Sequence, residues 1–550
     1  IAETHEAQTG GGYRAFLSFT DGSFRAKVLS ARGATVRDAW ENALDSARAY
    51  LKSHGFTARY LKADFPGGIR TIDTAKLLAT LKDIQWLDET LNSFFRFGIA
   101  FDDEFKVALL EQELNGNRIL DAEDADGIVM KRMNSYLAQQ GRDALEKLPD
   151  ELTLFSCRGY INDEGECLAL NYEQSGDHGR QDYGRRAIPD IDLPDSLRAI
   201  ANKNIEFLKD SMKEDGSFVY GWRPCTDRPL DNYNILRHTG AVWSLIDYYR
   251  DTRDASVKPY IDRAVDYLLK TDMEYTDDGD AAYIVTRKHN EIEVGGNGLA
   301  ICMLVNYMEV FDTDRYMDVC ERLGEGILRL LDPDTGKYYH VLYFGEPGEK
   351  DFSRKDPFRT VFYDGESTYA LCSMYRLTED EKWLDSAKIA VENFIENDYE
   401  KYRDQWVAYS MNEITKYADD ERYYAFALRN VQSNLKIIRE SPVSYHTRME
   451  LLMTSFEMYD RMKREGISVL YEQTVFDEKA FIDTIFYRAE YMLNFCFFPE
   501  YAMYMANPSR IEDIFFVRYD SFRVRIDDIQ HYLGGYRQFV KQYDRLAEYR

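Results

Sequence analysis

From Leu197 to the C-terminus the chain alternates two kinds of helical segment, and this alternation restricts the fold more than any other feature. Segments of the first kind begin soon after an acidic turn and read alike: "SVKPYIDRAVDYLL", "TDRYMDVCERLGEGIL", "EDEKWLDSAKIAVENFI" and "DDERYYAFALRNVQSNL". Each sets an aromatic near its start, then apolar and small residues at helical spacing, the mark of a helix with one buried stripe. Segments of the second kind are more apolar and richer in small residues: "RHTGAVWSLIDYY", "GGNGLAICMLVNYMEVF", "GESTYALCSMYRL", "QWVAYSMNEITKY" and "TRMELLMTSFEMY". Pairing the two kinds gives about twelve helices, or six hairpins, which stack into an open solenoid or close into a ring. A solenoid keeps a near-constant period, whereas excursions such as "DPDTGKYYHVLYFGEPGEKDFSRKDPF" break the series here. The expectation is a mainly α protein, an (α/α)6 toroid over residues 191–550, with the apolar helices inside.

Residues 1–190 have another character, a smaller α+β domain with two β-hairpins. "YRAFLSFTDGSFRAKVLSA" alternates around an Asp-Gly turn. A helix follows through "VRDAWENALDSARAYLKSHG", capped at Thr35 and stopped by Gly55. "ARYLKADF" and "FRFGIAF" read as strands, "DDEFKVALLEQEL" as a helix opening with acids at its positive end, and "LTLFSCRGY" with "ECLALNY" as the second hairpin. The polar, Gly- and Pro-punctuated "EQSGDHGRQDYGRRAIPDIDLPDS" marks the domain boundary.

A net charge of -27 with no basic block excludes nucleic acid and anionic membrane as natural partners. No run approaches the roughly 18 apolar residues of a spanning helix. Seven cysteines form no CxxC. A hairpin turning at 162–165 sets Cys167 opposite Tyr160 and Cys157 opposite Leu170, on opposite faces, so no bridge joins them. A reducing, cytoplasmic compartment is expected, with a processed leader left open because the sequence starts at Ile1.

In such a ring the inner helices run parallel and their N-terminal ends gather around one mouth, where free N–H groups favour polar or anionic ligands. Residue types with chemistry collect at these starts. The first carries Asn234, Arg237 and His238, the second Glu293 and Asn297, and the third Asp364 and Glu366. The fourth offers Asp404, Gln405 and Trp406, the fifth His446, Arg448 and Glu450, and the sixth Arg525, Asp527, Gln530 and His531. Each has a plainer reading. His238 shares a face with Ile235, Val242 and Leu245 and suits a core histidine bonded to a carbonyl. Asp364 and Asp404 suit helix caps. Arg525 with Asp527, or Arg448 with Glu450, suit ion pairs between helix ends, and Trp406 suits a core aromatic. Metal spacing (HxxxH, HExxH, CxxC), a nucleophile elbow and a phosphate loop are all absent from the sequence, so neither metal nor cofactor is expected.

The outer-helix starts and hairpin number resemble the six-hairpin glycosidase-like superfamily over about residues 195–550. Within it the chain is similar to a group of bacterial proteins with helix starts like "NILRHTGA", "GGNGLA", "YDGE" and "RIDDIQH". That resemblance implies a carbohydrate-active protein with an oligo- or polysaccharide substrate; the N-terminal domain resembles no family and suits docking of a protein partner. Glycosidic hydrolysis needs one protonated and one ionised carboxyl group, which gives Glu366 the role of acid and Asp404 that of base. His238, His446, Arg448, Arg525 and His531 would then hold hydroxyls or a uronate, beside Asn234, Arg237, Asn297, Asp364, Trp406 and Asp527. Two alternatives stay open: an epimerase or polysaccharide lyase using His238, His446 or His531 as acid and base, and a glycan-binding scaffold without turnover.

Overall fold

The computed structural model describes residues 11–86, 95, 97–121, 127–163, 165–171, 174–175, 180–181, 184–343, 355–441, 443–518 and 520–550. The chain divides into two compact units. The first holds residues 1–196 but also 221–230 and 493–525; the second holds 197–220, 231–492 and 526–550. Residues 221–230 and 493–525, which lie inside the 191–550 span expected for the toroid, thus belong to the first unit.

The first unit is an antiparallel sheet. β1 (Tyr13–Thr20) lies between β2 (Lys27–Gly33) and β3 (Tyr60–Asp73), and β3 pairs along its length with β4 (Glu151–Asp163), which pairs with β5 (Glu166–Asn171). Helix Val36–His54 covers one face through Ala39, Ala43 and Ala47. Thr35 accepts from the Asp38 N–H while Asp38 accepts from the Thr35 N–H, a reciprocal cap, and Gly55 ends the helix at φ 68°. Two expectations change. The β4–β5 register sets Cys167 opposite Asn162 and Tyr160 opposite Ala169, because the pairing runs out to Asp163 opposite Glu166, two residues out of step with the expected hairpin. Cys157 and Cys167 still fall on opposite faces, and all seven cysteines are free thiols. The helix expected through "DDEFKVALLEQEL" is confined to Glu111–Gly116, because Asp102 accepts from the backbone N–H groups of Glu104, Lys106 and Val107 and folds that stretch into a turn.

Among the described residues the second unit holds twelve long helices and a short one, Leu470–Thr474. In chain order the long ones are α1 (Leu193–Asp210, of which 197 onward lies in this unit), α2 (Ile235–Thr252), α3 (Lys258–Thr271), α4 (Val294–Phe311), α5 (Met317–Leu328) and α6 (Phe362–Thr378). They continue with α7 (Glu381–Glu396), α8 (Gln405–Ile414), α9 (Glu421–Glu440), α10 (Thr447–Glu465), α11 (Glu478–Met492) and α12 (Ile526–Glu548). The even-numbered helices pack in sequence, α2 on α4, α4 on α6, onward to α12, and α12 packs back on α2. The ring is closed.

Burial separates the two kinds of helix as their sequences do. The outer α3 buries one stripe, Ile261, Ala264, Val265 and Leu268, whereas the inner α4 buries an unbroken run from Val294 to Met308. By length and hydropathy α4 resembles a membrane span, but 83% of that window is buried inside the ring. A five-stranded antiparallel sheet, from Met273–Tyr275 to Lys355–Asp356, forms beside the starts of α4 and α6 and fixes Glu293 and His340.

Candidate active site at the inner-helix mouth

Glycines bring the six inner-helix starts together. A Cβ on Gly295 would lie 2.0 Å from Glu366 Oε2, one on Gly365 2.7 Å from Asp404 Oδ2, and one on Gly534 2.4 Å from Glu450 Oε1. Gly240 likewise makes room for the Gln530 amide, and Gly296 for Leu236. Tyr409 of α8 reaches Glu450 of α10 at 3.3 Å. At each of the six seams, then, the start of one inner helix meets the start of the next. The sequence-selected residues separate into those that line this mouth and those that build its wall.

The wall takes several of them. His238 is fully buried: Nε2–H donates to the Ala264 carbonyl at 2.9 Å and Nδ1 accepts from the Tyr233 hydroxyl at 2.7 Å. Burial lowers its pKa to about 4, so the ring is neutral and both nitrogens are occupied. The acid/base role considered for it has no group to act with. Asn297 is a buried strut, accepting from the Ile284 N–H and donating to the Ala282 carbonyl. Asn234 caps α2 by accepting from the Leu236 and Arg237 N–H groups. Arg448 donates to the Ile437 carbonyl and stacks its guanidinium 4.2 Å over the Tyr445 ring. Arg525 lies in the first unit, paired with Gly221 on a short strand. The ion pairs considered also regroup: Asp527 binds Arg237 at 2.9 Å, and Glu450 binds His531.

One side of the mouth collects carboxyl groups. Asp364 accepts from His340 Nε2–H at 2.7 Å, and His340 Nδ1 accepts from the Arg359 and Thr360 N–H groups, which fixes the tautomer. Asp404 caps α8, with Oδ1 taking the Trp406 N–H, while its buried Oδ2 meets no partner. Glu366 Oε2 is also buried without a partner. Burial, then the charges of Asp404 and Glu293, hold the Glu366 carboxyl well above the ordinary carboxylate range. Burial and Asp364 raise Asp404, opposed by its backbone N–H bonds. Both carboxyl groups are therefore held above the ordinary carboxylate range, Asp404 against the pull of its backbone N–H bonds. Glu293 is held by the Tyr363 hydroxyl at 2.5 Å and by Thr286 at 3.1 Å.

The other side collects histidines. His531 Nδ1 donates to Glu450 Oε2 at 2.7 Å, and no protein group among the described residues bonds its Nε2. Burial pulls the His531 pKa down, but the charge and hydrogen bond of Glu450, with Asp527 and Asp528 beyond, outweigh it and leave it raised. Glu450 is raised by its own burial, against the opposing pull of His531. His446 stacks on His531 with ring centroids 5.2 Å apart, its Nε2 3.8 Å from Asp528. Trp406, Trp243, Tyr369 and Tyr409 form an aromatic floor, with the two tryptophan rings 5.5 Å apart. No group of three or more metal-ligating side chains occurs among the described residues.

No family model matches the sequence, and neither does any curated protein. Among solved structures, a D-mannose isomerase aligns over 65% of this chain and 100% of its own, with 13% identity and a TM-score of 0.48. The cellobiose 2-epimerase of Bacillus thermoamylovorans B4167 aligns over 64% of this chain and 100% of its own, at 12% identity and 0.48. A GH76 α-mannanase of Bacteroides thetaiotaomicron aligns over 64% and 97%, at 11% identity and 0.44. These neighbours are six-hairpin, glycosidase-like toroids.

In this toroid the groups that sequence reading passed over are His340, Tyr409 and Trp243. His340 sits in a loop remote from any inner-helix start, and only the fold carries it to Asp364. Tyr409 and Trp243 lie one and two turns into their helices, where an aromatic reads as core. Their spacing from the starts by about whole helical turns is the one signal that could have found them.

Proposed function

We propose that the toroid is a carbohydrate-active enzyme that moves a proton at a sugar carbon beside a carbonyl, as in isomerisation or epimerisation, with His531 and His446 as acid and base. The observation that carries this reading is the His531–Glu450 pair: a raised imidazole, held at Nδ1 by a buried carboxyl group, with Nε2 left for a substrate. The imidazolium of His531 donates its proton to the carbonyl oxygen as His446 removes one from the adjacent carbon. The enediol then takes a proton back on the former carbonyl carbon (isomerisation) or on the opposite face of the same carbon (epimerisation), while the neutral His531 or solvent removes the enediol hydroxyl proton that reforms the carbonyl. The aromatic floor of Trp406 and Trp243 suits a sugar ring, whose C–H faces pack on π-systems.

The raised Glu366 carboxyl, with Oε2 unpartnered, supports a second reading, glycosidic hydrolysis with Glu366 as acid and Asp404 as base. Against it, Asp404 is wholly enclosed, with Oδ2 seated over Gly365. The two are separated by incubating the protein in D2O with free hexoses, D-mannose first, and with cellobiose and manno-oligosaccharides. Proton transfer puts deuterium on a sugar carbon and leaves chain length unchanged, whereas hydrolysis creates new reducing ends. Deuterium uptake that persists undiminished in His531→Asn would overturn the first reading.

A further inference from the structure

Five of the six outer helices pack directly on the inner ring, but α1 makes no comparable approach to any element. The space between α1 and the α2–α12 seam is instead a cavity of about 550 Å3, within the ordinary range of ligand sites. One face of α1, with Leu197, Ala201 and Ile205 at helical spacing, forms its outer wall. Its inner end reaches Glu450 and Gln530 at the ring centre. Its far end reaches Lys541 and Asp544, about 20 Å along α12 by helical rise. That length exceeds a single hexose ring.

The lining has the chemistry of a site for neutral, polyhydroxylated chains. Trp243, Tyr248, Trp406, Tyr409 and Tyr536 give it aromatic faces along the whole run. Between them lie hydrogen-bonding groups whose charges cancel locally. Arg537 is clamped by Asp247 at 2.7 Å and Asp251 at 3.0 Å, and Lys541 stands one turn from Asp544. A uniformly acidic or basic slot would select an ion; this one offers donors and acceptors with little net field.

We propose that the cleft between α1 and the α2–α12 seam binds a linear neutral oligosaccharide, whose terminal unit lies against Glu450 while the chain runs out along α12. The proposal rests on the carbohydrate reading given above and adds to it where the rest of a chain lies: in a cleft along α12, so that affinity grows with chain length beyond a single hexose. Glu450 links the cleft to the chemistry, since its other oxygen holds His531.

The test titrates the wild-type protein with gluco- and manno-oligosaccharides of increasing length, following tryptophan fluorescence, because Trp243 and Trp406 line the cleft. Affinity rises at least tenfold from the single sugar to the tetrasaccharide, and an oligogalacturonate of equal length binds no better. Ala201→Trp, which fills the slot from the α1 side, and Tyr248→Ala, which removes a half-buried aromatic face, each erase the gain with length. Should Ala201→Trp fail to fold, Tyr248→Ala decides alone. Absence of binding, or a gain with length that survives in the folded variants, overturns the proposal. A gain lost in these variants while His531→Asn keeps full turnover upholds the cleft and removes the proposed chemistry instead.

Discussion

His531 Nδ1 stands 2.7 Å from Glu450 Oε2, across the seam between the last two inner helices. The carboxyl group is buried and the imidazole is nearly so, which makes the pair sensitive to removal of either charge. Glu450→Gln keeps the shape and one hydrogen bond but deletes the charge that raises His531. The alkaline limb of the pH–rate profile therefore moves to lower pH, and kcat falls at least tenfold. Stability moves with it. A histidine raised above 6.5 binds its proton more tightly in the native chain than in the unfolded one. Its contribution is full below 6.5 and fades as pH rises through the native value, so pH-dependent thermal melts of Glu450→Gln flatten in that window.

The glycine seats separate the two chemistries. Gly534→Ala drives a methyl group into Glu450 Oε1, whereas Gly295→Ala drives one into Glu366 Oε2. Overpacking of this kind costs about 1–3 kcal/mol, so both variants fold. Gly534→Ala abolishes deuterium exchange and Gly295→Ala spares it if the histidine pair is catalytic. The reverse pattern, read as reducing-end release, assigns the work to Glu366.

His238 is the opposite case, a titratable group whose job is structural. Its pKa is lowered from 6.5 to about 4 by burial. The neutral ring stabilises the fold fully above 6.5, and that share, about 3 kcal/mol by linkage, is lost as pH falls through 4. His238→Gln removes much of the acid sensitivity between these values, measured by urea melts across pH. It also lowers stability at neutral pH by about 2–4 kcal/mol, since the Ala264 and Tyr233 bonds go. Oligosaccharide affinity stays within twofold of wild type.

His238 also shows how far residue pattern carries. The six starts were legible because a 3.6-residue period and small-residue content mark inner helices, and glycines at their N-terminal ends mark close approach. Which side of a helix faces the mouth was not legible. Arg237 and His238 are neighbours in sequence, yet about 100° of helix turn sends one to Asp527 on the mouth side and the other to the outer wall at Ala264. His340 was invisible for another reason. Its partner Asp364 is reached through a loop and a sheet whose register depends on tertiary contacts. The same limit explains the assignment of 221–230 and 493–525 to the first unit, since strand pairing between distant segments leaves no local trace.

The first unit carries its own buried ion pair, and its energetics can be tested apart from any activity. Lys62 and Asp64 sit two residues apart on one face of β3, both without solvent exposure, with Nζ bonded to the carboxylate at 2.5 Å. Burial raises the Asp64 pKa against the opposing charge of Lys62. The Lys62 ammonium also lies 5.5 Å from the Tyr504 ring, whose hydroxyl donates to Ser18. Deleting one partner strands the other in a low dielectric, so Lys62→Met costs about 3–5 kcal/mol. Replacing both removes the desolvation penalty with the pair. Lys62→Met with Asp64→Leu therefore recovers most of that loss, and a double-mutant cycle in chemical denaturation yields a strongly coupled pair. If the double variant is no more stable than Lys62→Met, the pair acts through its mutual hydrogen bond and the contact of the ammonium with the Tyr504 ring, and charge desolvation is not the controlling cost.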